Sequence, residues 1–372
     1  MIEIHTVYRK PNRFAGWPAN YGMWQWQDEI VVIFTEGTYK ASTVSHARDK
    51  SKPFTTLQAR SLDGGKTWNV IPFPGLVPGN RPLSADEHVF PELSLASYLA
   101  NNKSELVTPP DKIDFSHPDF ALMCARTGLK AGTQSFFYTT HDRCQTWQGP
   151  FHLPMFGQTA IAARTDYEIE DKNTCLLFLT ANKTDGNEGR VFCCRTSDGG
   201  ESFQFVSFIG EEPGPHGFSI MPSHLRFSDG HYLTALRCRD EENGNSPTAS
   251  WIDLYTSQDD GLTWQYLNRP IAFQSPSGNS NPPSLVQFPD NRIAIIYGNR
   301  DAPAAICARL SSDQGNSWSD EIILRKTGGT SDMGYTRAVV LPDGTMVATY
   351  YLNDQADGNG ERFIESLRWK PD

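Results

Sequence analysis

The chain has 372 residues, 43 acidic against 33 basic side chains and a net charge of −10; with no dense basic run, that balance excludes a nucleic-acid surface. No stretch approaches the roughly 18 apolar residues that span a bilayer, and the N-terminus, MIEIHTVYRK, lacks the charged start and apolar core of a secretory signal, so a cytoplasmic protein with no membrane partner is expected. A hydrophobic content of 38%, an aromatic content of 12%, 30 Gly and 25 Pro, spread as short apolar runs between turn residues, predict an all-β fold in one domain covering residues 1–372.

In chain order, residues 3–8 read as a strand ahead of the first module, whose turn is Gln27-Asp28. Module two is the least regular, with Pro/Asp-rich insertions between Asn101 and Pro118. Module three has its turn at 171–173 before the run 174–180, and module four turns at Asp229-Gly230. Module five shows the pattern plainly: strand 284–288, turn Asp290-Asn291, strand 293–297, strand 305–310, and a last strand at 321–324. Module six has strands at 339–341, 346–351 and 363–369 and then stops one strand short; residues 3–8 are expected to supply it.

Between third and fourth strands stands one phrase, Ser-X-Asp-X-Gly-X-Thr-Trp, at 61–68 and 257–264, with variants at 140–147, 196–203 and 311–318. Each reads as a hairpin turn in which the Asp accepts backbone N–H groups and the Gly takes a positive φ. Cys144 replaces that glycine in the second copy, and Phe203 replaces the Trp in the third. Spaced repeats of one supersecondary unit are the signature of a repeat architecture. Six four-stranded units closed by pairing the chain ends describe a six-bladed β-propeller, which protects its sheet edges by closure.

Strand parity then locates a site. Adjacent strands in a blade are antiparallel, so the boxed turns share one face and the 2–3 loops and blade crossings share the other. Functional side chains are therefore expected where first strands begin and second strands end. Module one places there Arg13, Gly16-Trp17-Pro18, Glu36, His46, Arg48 and Asp49; module two, Glu87 and His88; module three, Asn182, Lys183, Glu188 and Arg190. Module four adds His216, Arg237, Arg239 and Asp240; module five, Asn279, Asn281, Arg300 and Asp301; module six, Tyr335, Arg337, Asn353 and Asp354.

Arg237 and Arg300 occupy equivalent second-strand ends of adjacent modules, where two guanidinium groups can converge on a carboxylate or sulfate. Arg337 either joins them or serves an internal ion pair. An anionic ligand is implied. His46 and His88 are alternative acid–base groups, since histidine titrates near neutral pH. Trp17, Trp24 and Trp26 either stack on sugar rings or pack within the blade, and alternation along a first strand favours packing.

Seven cysteines form no C-X-X-C pair. The adjacent Cys193 and Cys194 should face opposite ways, one as a buried thiol, and neither a metal site nor a cofactor is expected; the Asp content leaves a loop-bound Ca²⁺ open.

Repeated Asp boxes in six modules resemble the sialidase/neuraminidase superfamily over essentially the whole chain. GYTRAVVLPDGTMVATYY resembles the region around the nucleophilic tyrosine of sialidases, at Tyr335, and HARDKSKPFTTLQARSLDGGKTW resembles the region of the acid/base aspartate, at Asp49. NPPSLVQFPDNRIAIIYGNR, a box and the GYTR segment look like a bacterial group of such proteins. The resemblance implies an exo-acting glycosidase with Tyr335 as nucleophile, Glu188 as the base that activates it, and Asp49 as acid/base. Arg237 and Arg300 would bind the substrate carboxylate, with Arg13 as third member and Arg337, His46, Arg48, His88 and Asn281 as further substrate-binding candidates. The chain departs from the family at the Arg-Ile-Pro motif, replaced by Gly16-Trp17-Pro18, and at a glutamate that corresponds to Tyr351. A related anionic or deoxy sugar competes with sialic acid as the substrate. A glycosidase or polysaccharide lyase working through His46 or His88 competes with the sialidase mechanism, and a non-catalytic carbohydrate-binding propeller competes with both.

Overall fold

The computed structural model describes residues 2–42, 46–84, 88–240, 249–273, 280–301, 303–327, 330–355 and 358–372. Its strands form six antiparallel sheets, one per blade. Ile2–Tyr8 pairs with Phe363–Trp369 and becomes the outermost strand of the last blade, outside Met346–Leu352 and Gly334–Val340. The expected closure by the N-terminal strand is therefore what the chain does.

Second strands explain the apolar runs in the sequence. Cys175–Asn182 and Met346–Leu352 are buried along their whole length, because each blade is covered on both faces by its neighbours. Between blades two and three Phe137, Phe151, Leu177 and Phe192 interlock, and between blades five and six Ile296, Ile306, Tyr350 and Leu367 do so. Cys193 faces blade four, beside Tyr232 and Leu236, while Cys194 faces the core shared with blade two. Both thiols are buried, not one as expected, because both faces of a blade are interior; all seven cysteines are free.

The boxed turns hold as their chemistry predicts. In the first, Ser61 Oγ donates to Asp63 Oδ1 (2.8 Å) and accepts the Gly65 N–H (2.8 Å), while Asp63 also accepts from the Thr67 N–H (2.9 Å) and hydroxyl (2.6 Å). Cys144 adopts the glycine conformation at φ 63° and keeps the N–H bond to Thr140 Oγ1 at 3.1 Å. Carbonyls at these turn glycines dock the preceding blade: Gly65 O accepts from Ser366 Oγ of blade six at 2.8 Å, and Gly261 O from Ser207 Oγ of blade three at 2.6 Å.

Two blades depart from the regular pattern. Blade two has three strands among the described residues, Ala121–Arg126, Ser135–Thr140 and Gln148–His152, with the helix Leu95–Asn101 in the preceding insertion. In blade one the first strand is broken into Arg13–Gly16 and Gly22–Trp26, both paired with Glu29–Thr38. Trp17 (φ 63°) and Pro18 leave the ladder, and the 3-10 turn Pro18–Asn20 enters the channel. Asn20 Oδ1 receives Arg164 Nε (3.4 Å) on one side of this plug, and the Ala19 carbonyl receives Arg337 (3.4 Å) on the other.

Candidate active site

Tyr335 is the second residue of Gly334–Val340, where a first strand begins. Its φ is 54°, that of Gly334 is 104°, and Asn281 Oδ1 accepts the Tyr335 N–H at 3.0 Å. A non-glycine residue in the left-handed region costs of order 1–3 kcal/mol and persists only where surroundings hold it. Asn281, fully buried, is thus a support of the tyrosine backbone.

Arg237, from the end of Tyr232–Asp240, brings Nη1 within 3.5 Å of the Tyr335 oxygen and 3.6 Å of Met221 Sδ, and its Nε donates to Ser280 Oγ at 3.4 Å. Arg300, just beyond Ile293–Asn299, donates to the Met333 carbonyl from Nη2 (2.9 Å) and Nε (3.2 Å). The two guanidinium carbons lie 5.7 and 5.9 Å from the Tyr335 ring centroid. Both arginines are 6% exposed, while Tyr335 is only partly buried, so the tyrosine is the most accessible residue of the three. Burial alone would raise the phenol's pKa; the charges of Arg237, Arg300 and Arg164 outweigh it and hold the pKa below the ordinary tyrosine value.

Glu188, expected beside Tyr335 as its base, is instead ion-paired with Arg164. Met221 packs against Tyr335 and Arg237 from blade four, and a thioether accepts no proton. The reason is local: Glu188 opens the third strand of blade three, and buried Arg164, entering the same blade, takes the first carboxylate within reach.

Asp49 lies in the 2–3 loop of blade one, between Glu29–Thr38 and Thr55–Ser61. Ser51 donates to its Oδ1 from both N–H (3.0 Å) and hydroxyl (2.6 Å), and these bonds lower its pKa. Beside it Arg48 lies over the Trp17 ring at 4.7 Å and donates to the His46 carbonyl at 2.9 Å. His46 Nδ1 accepts from Trp17 Nε1 at 3.1 Å and lies 3.2 Å from the Tyr351 oxygen and 3.3 Å from Asp332 Oδ1. Asp332 accepts from the Tyr351 hydroxyl (2.8 Å), the Ala47 N–H (2.9 Å) and Arg362 Nε (2.9 Å). Burial raises the Asp332 pKa, but the hydrogen bonds and positive charge around the carboxylate bring it far below the usual carboxylate range. The imidazole and the Tyr335 ring are nearly perpendicular, at 74°, with centroids 6.1 Å apart.

Other expected residues are placed elsewhere. Arg13 makes a two-pronged pair with Glu36 and donates to Thr38 Oγ1 at 3.1 Å, so it is an internal strut of blade one and no third member of an arginine clamp. Arg337 donates to the Ala19 and Thr165 carbonyls below the plug and lies 4.0 Å from Asp166, so it serves the internal ion pair and does not join the clamp. His88 packs against Phe54 with ring centroids 4.3 Å apart and lines a separate cavity with Lys50 and Lys130. Trp17 is 3% exposed and Trp24 donates to the Tyr167 hydroxyl at 3.1 Å, which bears out packing over sugar stacking for both. Glu87 and Asn279 lie outside the described residues. Sequence reasoning did not single out Asp332 and Arg164, although both lie at first-strand starts, where the parity rule points.

No curated protein matches the chain. Among solved structures, a protein of unknown function from Dyadobacter fermentans superposes with a TM-score of 0.69 at 18% identity, over 99% of this chain and 98% of its own. The Hadza microbial sialidase Hz136 gives 0.59 at 14%, over 94% of this chain, which spans 65% of that sialidase. An α-L-arabinanase from Penicillium chrysogenum, complexed with arabinobiose, gives 0.59 at 14%, over 96% and 97% of the two chains. These likenesses are in fold. The sequence profile of the BNR repeat-like domain matches residues 131–348, more than half of the chain. The chain therefore belongs to the BNR repeat-like domain family, on a sialidase-like six-bladed propeller.

Proposed function

We propose that the protein is a glycoside hydrolase that removes a terminal acidic sugar, of the sialic-acid type, from a glycan at the channel mouth. One observation carries the reading: Tyr335, a partly exposed residue, sets its phenol beside the buried guanidinium of Arg237, at 3.5 Å, and near Arg300. Two cations serve two purposes. They attract an anionic sugar, and they make the phenolate accessible without a neighbouring carboxylate to take the proton.

In the proposed first step the Tyr335 phenolate attacks the anomeric carbon, the glycosidic C–O bond breaks, and the leaving oxygen takes a proton from the acid/base group, for which Asp49 is the candidate. In the second, water loses a proton to that carboxylate and attacks the same carbon, releasing the sugar and the phenolate. Asp49 must then be protonated on binding substrate, against the two Ser51 bonds that favour its ionised form. That commitment of Asp49 favours, as a second reading, a propeller that binds acidic saccharides without cleaving them.

The deciding assay sets a fluorogenic α-sialoside beside a panel of other acidic and neutral glycosides, with Tyr335→Phe and Asp49→Ala as controls. Sialoside turnover lost in both variants supports the full mechanism. Turnover of another glycoside, lost in Tyr335→Phe, keeps the nucleophile and changes the sugar. No turnover, with saturable binding of an acidic sugar, leaves the binding propeller.

A further inference from the structure

Where a third cation of an arginine clamp was expected, the described residues place an imidazole whose proton is fixed by its neighbours. The indole Nε1–H of Trp17 can only donate, and at 3.1 Å it points to Nδ1 of His46. Nδ1 must then hold a lone pair. Tyr351 does not contest this, because its hydroxyl sits closer to Asp332 Oδ1 (2.8 Å) than to Nδ1 (3.2 Å). Asp332 Oδ1, 3.3 Å from Nδ1, is the competitor for a proton there, but Tyr351, Arg362 and the Ala47 N–H already serve its two oxygens. The neutral ring therefore carries its proton on Nε2.

Geometry also says which way that proton looks. Nδ1 is on the buried side: the Trp17 and Asp332 side chains beneath it are each 3% exposed, whereas the His46 side chain retains 20%. Nε2 bonds no described residue and is not among the buried atoms left without a partner, the ring centroid lies 6.1 Å from that of Tyr335, and Arg300 reaches the same Tyr351 oxygen at 3.5 Å. We propose that His46 completes the anion site as a neutral hydrogen-bond donor, offering Nε2–H to the acidic group of a sugar held by Arg237 and Arg300, with Trp17, Tyr351 and Asp332 as positioning residues that fix its tautomer. This deepens the glycosidase reading and rests on it for the identity of the ligand.

The charged groups around the ring support a neutral imidazole. Burial lowers its pKa first, Asp332 opposes this, and Arg48 and Arg300 lower it further, to about 4. A bound anion offsets the two cations and raises that value, so ligand affinity increases as pH falls toward it. Tyr335 and Tyr351 are the other titratable groups that face the ring, and the Tyr351 proton is spent on Asp332.

The test reads the proton directly. In ¹⁵N-histidine-labelled protein without ligand, the His46 signals, assigned by their loss in His46→Gln, are expected to show an unprotonated Nδ1 and a protonated Nε2 at neutral pH. In Trp17→Phe the proton should move to Nδ1, where Asp332 accepts it. Titration with N-acetylneuraminate, D-glucuronate and inorganic sulfate should shift Nε2, and His46→Phe should weaken binding of the responsive probe about tenfold, with most of the loss restored in His46→Gln, whose amide keeps a donor at that place. A protonated Nδ1 in the wild type overturns the proposal, as does an Nε2 silent to all three probes or a His46→Phe protein that binds as the wild type does. Because the tautomer is read without turnover, a failed glycosidase assay and a failed His46 assignment remain distinct results.

Discussion

Nη1 of Arg237 lies 3.5 Å from the phenolic oxygen of Tyr335, and no carboxylate bonds that oxygen among the described residues. A phenol in this setting loses its proton to solvent more easily than an ordinary tyrosine, and the cation that makes this so also meets the substrate. The two roles separate by substitution. Tyr335→Phe should lower kcat by about a thousandfold or more while leaving binding of an acidic sugar nearly intact. Arg237→Ala should raise KM by about 10- to 100-fold, the loss of a charged hydrogen bond, and should move the alkaline rise of activity to higher pH, since a lowering influence on the phenol is gone. A pH profile that keeps its position in Arg237→Ala would sink the electrostatic account.

Arg13 offers the converse test. Its guanidinium is spent on Glu36 and Thr38 inside blade one, so Arg13→Met should leave KM unchanged and lower stability by about 2 kcal/mol, the worth of charged hydrogen bonds at a partly buried pair. Steady-state kinetics beside thermal unfolding decide it; a raised KM with unaltered Tm would return Arg13 to the ligand.

Gly334 and Asn281 hold the tyrosine in its unusual conformation. A Cβ at Gly334 would collide with Asn281 Oδ1, and the φ of 104° is one that only glycine takes easily. Gly334→Ala should therefore cost about 1–3 kcal/mol and reduce kcat along with it, because the displaced amide is the one that carries Tyr335. Asn281→Asp, which keeps the acceptor, should retain more activity than Asn281→Ala. Equal activity in the two would mean that the N–H bond does not position the nucleophile.

Repeats and strand parity made the propeller legible because they depend on local chemistry: an Asp that caps its own turn, a Gly at positive φ, apolar runs buried on both faces. Parity also placed Tyr335, Arg237 and Arg300 together, since positions at equivalent strand ends converge whatever the intervening loops do. Pairing preferences were not legible. Whether a carboxylate meets a phenol or a guanidinium depends on a few ångströms of register between blades, so Glu188 going to Arg164 and Arg13 to Glu36 could not be read from spacing. The break at Trp17-Pro18 carried a visible signal, a proline inside a would-be first strand, but its consequence, a turn that plugs the channel, depends on what stands across the axis.

Below that plug a cavity of about 370 Å³ holds His224 between Asp166 Oδ1 at 3.1 Å and Glu168 Oε2 at 3.2 Å, stacked on Phe178 with ring centroids 4.3 Å apart. Burial disfavours the imidazolium, but the two carboxylates prevail and raise its pKa from 6.5 to about 9. A group with a raised folded pKa stabilises fully below its unfolded value and loses that contribution as pH climbs through the folded one. Unfolding free energy should thus fall between about pH 6.5 and 9, by at most about 1.4 kcal/mol per pH unit for one proton. His224→Gln should be less stable than the wild type at pH 6 and should lose this slope, approaching the wild type above pH 9. Urea titrations at pH 6, 7.5 and 9.5 measure both. Parallel curves for the two proteins would mean that the ring is neutral when folded, and that blades three and four are joined there by packing on Phe178 instead of by charge.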